Sequence, residues 1–225
     1  MIVCSTWGGE ALAFAAGVNT PGKSDATGAF LPEGRAFKKH TVGRLFQVDT
    51  AARDQSRRKS VYRNLTAVEN PLSYLAFFCH GWRTGIQFGF RLHHLTYLAR
   101  HLSEISHPDL TVALFCCSTA QGGTGGDGGF ADDLRDQLCM YGLVDCKVIA
   151  HTTKGHTTSN PYVRIFEGDG SRIGGIGGRY VVEPKSELWP AWKKELRDSE
   201  KFRIGFPLMS REEIAAHLRG EHAEE

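Results

Sequence analysis

Val112-Ala-Leu-Phe-Cys-Cys-Ser-Thr-Ala-Gln-Gly-Gly123 is an apolar run that meets two cysteines and then gives way to small residues. A short continuous apolar run bounded by turn formers is the pattern of a fully buried strand. Upstream, Tyr74-Leu-Ala-Phe-Phe-Cys-His-Gly81 repeats the design and ends in a histidine. Between them Leu92, Leu95, Leu98, Leu102 and Ile105 recur at three and four residues, the spacing of one helix face. Pro108 stands just beyond, where a helix has to have ended. Strand, helix and strand in this order predict a right-handed parallel crossover.

The pattern extends in both directions. Phe130-Ala-Asp-Asp-Leu-Arg-Asp-Gln-Leu-Cys-Met reads as a helix with Phe130, Leu134, Leu138 and Ala131 inward, Gly142 closing it and residues 146–151 forming the next strand. Residues 162–166 and 179–183, on either side of a glycine-rich segment, read as a hairpin or flap. Residues 2–6 and 44–48 read as the first two strands, and the polar segment 49–64 as surface. Residues 10–16, 33–40 and 188–196 carry helical patterns, 17–32 is a turn-rich loop, and Ser210-Arg-Glu-Glu213 has capping-box spacing. The expectation is a single α/β domain over residues 1–225 with a mainly parallel sheet. Its core would span 1–166, with a β-flap and helical tail over 167–225.

Bulk properties exclude several classes. With 225 residues, 41% of them hydrophobic, the chain fits one domain with a substantial core. The formal charge is +2, and the basic cluster Arg53-Asp-Gln-Ser-Arg-Arg-Lys59 has no nucleic-acid motif beside it, so it reads as a solvated face. No apolar run approaches the ~18 residues a membrane span needs. Met1-Ile-Val-Cys-Ser-Thr lacks the basic start of a signal peptide. Six cysteines, at Cys4, Cys79, Cys116, Cys117, Cys139 and Cys146, read as free thiols in a reducing, cytoplasmic setting. Neither nucleic acid nor membrane is expected as a partner.

In open α/β sheets ligands bind beyond the carboxyl ends of the strands. His80 and Cys117 both stand at such ends, separated by about what a turn, a helix and a strand consume. If the two strands are neighbours, a thiol and its base come within reach. A free thiol titrates near about 8.5, and an imidazolium or aligned backbone N–H groups lower that value. Backbone amides at Cys117 and at Gly81, with Gly122 and Gly123, could approach a substrate carbonyl as an oxyanion hole requires. Strand alternation sends Cys116 and Cys79 to the other face, as core residues, with a resolving thiol as the second role for Cys116.

The loop His151-Thr-Thr-Lys-Gly-His-Thr-Thr-Ser-Asn-Pro161 leaves a strand at the same edge, so His151, His156 and Thr157 are candidates to line a substrate groove or orient the pair. Asp127, Asp132 and Asp133 could attract a basic side chain, or serve as charges at a helix N-terminus. The glycine loop is no P-loop, because no Gly-Lys-Ser/Thr follows. No paired cysteine or histidine spacing supplies a zinc framework, so neither metal nor cofactor is expected.

Leu114-Phe-Cys-Cys-Ser-Thr-Ala-Gln-Gly-Gly123 resembles the strand-end motif of CHAT domains, in which a strand runs into Ala-Cys-x-Thr-Ala/Gly. Ala76-Phe-Phe-Cys-His-Gly81 resembles their His-Gly strand end. Both motifs belong to the wider caspase-like (clan CD) cysteine peptidases, and the resemblance covers roughly residues 74–150. It implies a three-layer α/β/α sandwich and a cofactor-free Cys/His dyad. Cys117 would be the nucleophile, His80 the acid/base, and a polypeptide the substrate. Cys116 falls where the family has a small residue, and the second half of the CHAT consensus is absent. Two other readings are an inactive scaffold of the same fold and a flavodoxin-like protein that binds an anion in its glycine loop.

Overall fold

The fold is that of a computed structural model, which describes residues 2–6, 44–154, 163–168 and 177–180. In chain order these form β1 (Ile2–Ser5), β2 (Arg44–Gln47), α1 (Asp54–Thr66) and β3 (Leu72–Phe78). Three two-residue strands follow, β4 (Gly81–Trp82), β5 (Gly85–Ile86) and β6 (Phe90–Arg91). Then come α2 (Leu95–Ile105), β7 (Ser106–Phe115), α3 (Phe130–Met140), β8 (Lys147–His151), β9 (Val163–Glu167) and β10 (Arg179–Tyr180). The sequence segments read above at 10–16, 17–32, 33–40, 188–196 and 210–213 lie outside the described residues.

A seven-stranded sheet runs in the order β10-β9-β8-β7-β3-β1-β2, and β4-β5-β6 form a separate antiparallel meander. From β2 to β8 every neighbouring pair is parallel; β9 runs antiparallel to β8, and β10 antiparallel to β9. The expected hairpin therefore extends the edge of the central sheet.

Each step from β2 to β3, β7 and β8 passes through a helix and moves across the sheet in one direction. Right-handed crossovers then place α1, α2 and α3 on the same face. The packing agrees: Cys4, Leu75, Phe77, Val112, Leu114, Val148 and Ala150 share one apolar cluster with Leu65, Leu98, Leu102, Leu134 and Leu138. The alternate residues Val3, Tyr74, Ala76, Phe78, Ala113, Phe115 and Ile149 are also buried. Burial on both faces is why these strands read as continuous apolar runs rather than alternating ones.

Two elements depart from the sequence reading. The polar segment 49–64 contains α1, whose fully buried residues are Val61 and Leu65, one helical turn apart, with Tyr62 packed partly buried beside them. So narrow a stripe gives little periodic signal, and the basic cluster forms much of the helix's outer surface. There Arg57 pairs with Asp54, and Arg58 donates to the carbonyl of Gly89 in the meander. The second departure is β7, which begins before Pro108, at Ser106. Its pairing with β3 jumps from Leu72↔Ser106 to Tyr74↔Thr111, so the proline sits in an irregular stretch where its missing N–H breaks no regular ladder.

Helix α3 is anchored by a buried charge cluster. Arg135 and Asp132 are each 1% exposed and pair at 2.5 Å; Arg135 also reaches Asp136 at 2.6 Å and the Glu167 carbonyl at 3.3 Å. Asp132 further accepts from the Gly128 N–H at 3.0 Å. Burial pushes its carboxyl up to about 6, against the pull of that N–H and of Arg135.

Removing one partner of a buried pair strands the other. We expect Arg135→Met to cost about 3–5 kcal/mol in urea unfolding at neutral pH. A folded pKa above the ordinary value means stability from Asp132 is lost as pH rises from about 4 through about 6. The Arg135→Met deficit should therefore be smaller at pH 5 than at pH 8, and Asp132→Asn should remove that pH dependence.

Candidate active site

The last paired rows of β3 and β7 are Phe77↔Leu114 and Phe78↔Phe115. The rings of Phe78 and Phe115 stack with centroids 4.3 Å apart. One residue further, Cys79 and Cys116 are still level, with sulfurs 3.4 Å apart in the helix-side core. One more residue gives His80 and Cys117. The two candidate residues therefore leave adjacent parallel strands at the same height.

Gly81 brings the two ends together. A Cβ at this position would lie 2.7 Å from Cys116 Cβ, the Cys117 carbonyl oxygen and Thr119 Cγ2 alike. The backbone just after His80 thus packs directly on the backbone of Cys117. His80 is exposed and Cys117 half-buried, whereas Cys79 and Cys116 are fully buried. Burial, with hydrogen bonding and charge from the neighbouring Cys79, raises the Cys116 thiol well above its ordinary value. Burial does the same to Cys4 and Cys146. Cys116 is a core residue whose near neighbour is Cys79, and it also contacts the Phe77 carbonyl at 3.6 Å.

Beyond Cys117 the chain reverses. Ser118 has φ +58°, a left-handed conformation that side chains disfavour. It is held there by bonds to the β8 end: Ser118 N–H to the Thr153 carbonyl at 3.2 Å, and Ala120 N–H to the His151 carbonyl at 2.9 Å. The Gln121 amide adds a bond to the Thr152 carbonyl at 2.9 Å, and the Thr119 hydroxyl caps the Cys116 carbonyl at 3.0 Å. Helix α3 joins this frame through its first N–H groups, Phe130 to the Arg83 carbonyl at 2.8 Å and Ala131 to the Thr119 carbonyl at 3.0 Å.

The glycine loop is closed on itself. Gly123 N–H donates to the Asp127 carbonyl at 2.7 Å, Gly126 N–H to the Gly123 carbonyl at 2.9 Å and Gly129 N–H to the Gly126 carbonyl at 3.2 Å. A Cβ on Gly122 would lie 2.2 Å from the Gly126 carbonyl oxygen. The Gly123 amide is thus engaged within the loop, contrary to its expected place in an oxyanion hole, and Gly122 serves close packing.

The remaining candidates divide. His151 is 1% exposed, with its ring edge-on to Phe115, so it does not line a groove; its carbonyl instead holds the loop after Cys117. Asp132 is paired with Arg135 in the interior and unavailable to a substrate. Asp133 is half-buried, with its carboxyl raised by burial, and Asp127 is exposed. His156 and Thr157 lie outside the described residues. No group of three or more metal-ligating side chains occurs among the described residues.

Sequence reading missed Gln87. Its side-chain oxygen accepts from the His80 N–H at 3.3 Å and from the Thr6 hydroxyl at 3.0 Å, and its own N–H donates to the His80 carbonyl at 2.8 Å. Nothing marks a lone glutamine between Ile86 and Phe88 as special, because the contact depends on how the meander folds back.

No protein-family model matches the chain, and no curated protein matches it.

Two outcomes follow from this geometry. Iodoacetamide at neutral pH should modify Cys117 well before the other five thiols, as read by peptide mass spectrometry; equal labelling of Cys116 would contradict the assigned faces. Gly81→Ala should lower stability by about 1–3 kcal/mol through overpacking against the Cys117 backbone and should slow Cys117 alkylation.

Proposed function

We propose that this protein is a cysteine peptidase of the caspase-like type, closest in its motifs to CHAT domains, with Cys117 as nucleophile and His80 as acid/base. One observation carries the reading: β3 and β7 are adjacent, parallel and in register to their last row, so the His and Cys ends emerge side by side. The central sheet and the helices on its face are compatible with the sandwich that the motif resemblance implies. The six free cysteines suit a reducing compartment such as the cytoplasm.

In the proposed reaction His80 takes the proton of the Cys117 thiol, and the sulfur attacks the carbonyl carbon of a peptide bond. The resulting oxyanion collapses, the C–N bond breaks, and His80 delivers a proton to the departing amine. Water, deprotonated by His80, then cleaves the thioester and restores the thiol. Backbone amides near Cys117 and Gly81 would face the oxyanion. Asp127 is the exposed carboxylate left to meet a basic substrate side chain.

The flavodoxin-like reading finds the strand order 2-1-3-4-5 in β2-β1-β3-β7-β8. An anion in the glycine loop needs free amides, however, and those of Gly123, Gly126, Gly128 and Gly129 already have partners.

The test is a peptide library digested by the protein and read by mass spectrometry. We expect the parent to generate new termini, Cys117→Ala none, and His80→Ala at least ~100-fold fewer per unit time. Parental rates in both variants would eliminate the dyad.

A further inference from the structure

We propose that Gln87 is the positioning residue for His80, acting through a clamp on the histidine's main chain. The inference rests on the dyad reading above and adds to it the device that fixes where the imidazole stands.

His80 lies between two sheets. Behind it β3 ends at Phe78, and ahead of it β4 begins the meander. A residue at such a junction belongs to neither ladder, and its backbone N–H and C=O need other partners. Gln87 supplies both, with its main-chain N–H on the His80 carbonyl at 2.8 Å and its side-chain oxygen on the His80 N–H at 3.3 Å. In the antiparallel pairing of β4 with β5, Gly81 faces Ile86, so the next row would pair His80 with Gln87. One bond of that row is made by the backbone and the other by the side chain.

The amide is itself oriented. The His80 N–H and the Thr6 hydroxyl both approach the same atom of Gln87, and a main-chain N–H can only donate, so that atom must be the amide oxygen. Thr6 is fixed in turn by its own N–H on the Phe78 carbonyl at 2.8 Å. A chain of bonds thus runs from the end of β1 through Thr6 and Gln87 to His80. Phe88, next to Gln87, is buried with its ring 5.4 Å from that of Phe77, which seats the clamp on the core. On the far side Gly81 abuts the Cys117 backbone, so displacement of His80 is felt at the thiol.

Gln87→Met keeps the length of the side chain and removes the acceptor. We expect it to slow Cys117 alkylation by iodoacetamide about tenfold or more, because small misplacements of a catalytic group are costly. The urea midpoint should stay near that of the parent. Gln87→Glu, which keeps an acceptor, should restore most of the rate while moving the pH midpoint of alkylation upward, since added negative charge disfavours the thiolate.

In a His80→Ala background, Gln87→Met should have no further effect, the coupling a double-mutant cycle measures. An equal slowing with and without His80 would overturn the clamp and leave the dyad standing. If His80→Ala leaves the alkylation rate at the parental value, the dyad reading fails, and Gln87 is judged on the His80 imidazole NMR resonances. Unchanged His80 resonances in Gln87→Met would then overturn the positioning role, and shifted ones would sustain it.

Discussion

The register between β3 and β7 is the constraint on which the rest of the site depends. Side chains on neighbouring strands alternate together, so a slip of one residue would turn every side chain of β7 to the opposite face. Phe115 would leave its stack on Phe78, Leu114 would leave the helix-side core, and the two cysteines would exchange roles. The register is fixed by apolar residues that fill both faces of the sheet, not by groups at the site. The two side chains at the strand ends are therefore positioned by packing several residues away from them.

This arrangement separates two neighbouring thiols by environment. Cys116 points into the helix-side core beside Cys79, where burial disfavours its thiolate. Cys117 stands at a chain reversal that is half open to solvent. The reversal is held open by its bonds to the β8 end, and the glycines after it allow the loop to fold tightly on itself. Glycines near a reactive residue suggest amides offered to a ligand; here many of them serve the loop's own closure.

The parts of the fold legible in the sequence were those with strong local patterns. The apolar runs of β3 and β7, the leucine spacing of α2 and the inward residues of α3 each announced their element. The parallel direction of the His and Cys strands followed from the crossover rule, while their direct pairing was a condition that the structure meets. α1 was hidden because only two of its residues are fully buried, and the meander because two-residue strands have no period to read. The buried Asp132–Arg135 pair was not legible: Asp132 read as a substrate contact or a helix N-terminal charge, and nothing in the sequence shows that Arg135 turns inward beside it. Gln87 was illegible for a related reason: its contacts with His80 depend on how the meander folds back, and its contact with Thr6 spans most of the described chain before it.

The place of β1 bears on how the protein assembles during synthesis. Ile2–Ser5 sits between β2 and β3, pairing with Arg44–Gln47 on one side and with Leu75–Phe78 on the other. This segment is thus an interior strand of the finished sheet, and one of its neighbours is not made until some seventy residues later. At about 5–20 residues per second, the ribosome leaves it unpaired on that side for seconds. During this interval the backbone N–H and C=O groups on that side of β1 have no ladder partner. Completion of β3 closes that edge, so the strand that carries His80 also completes the ladder around β1.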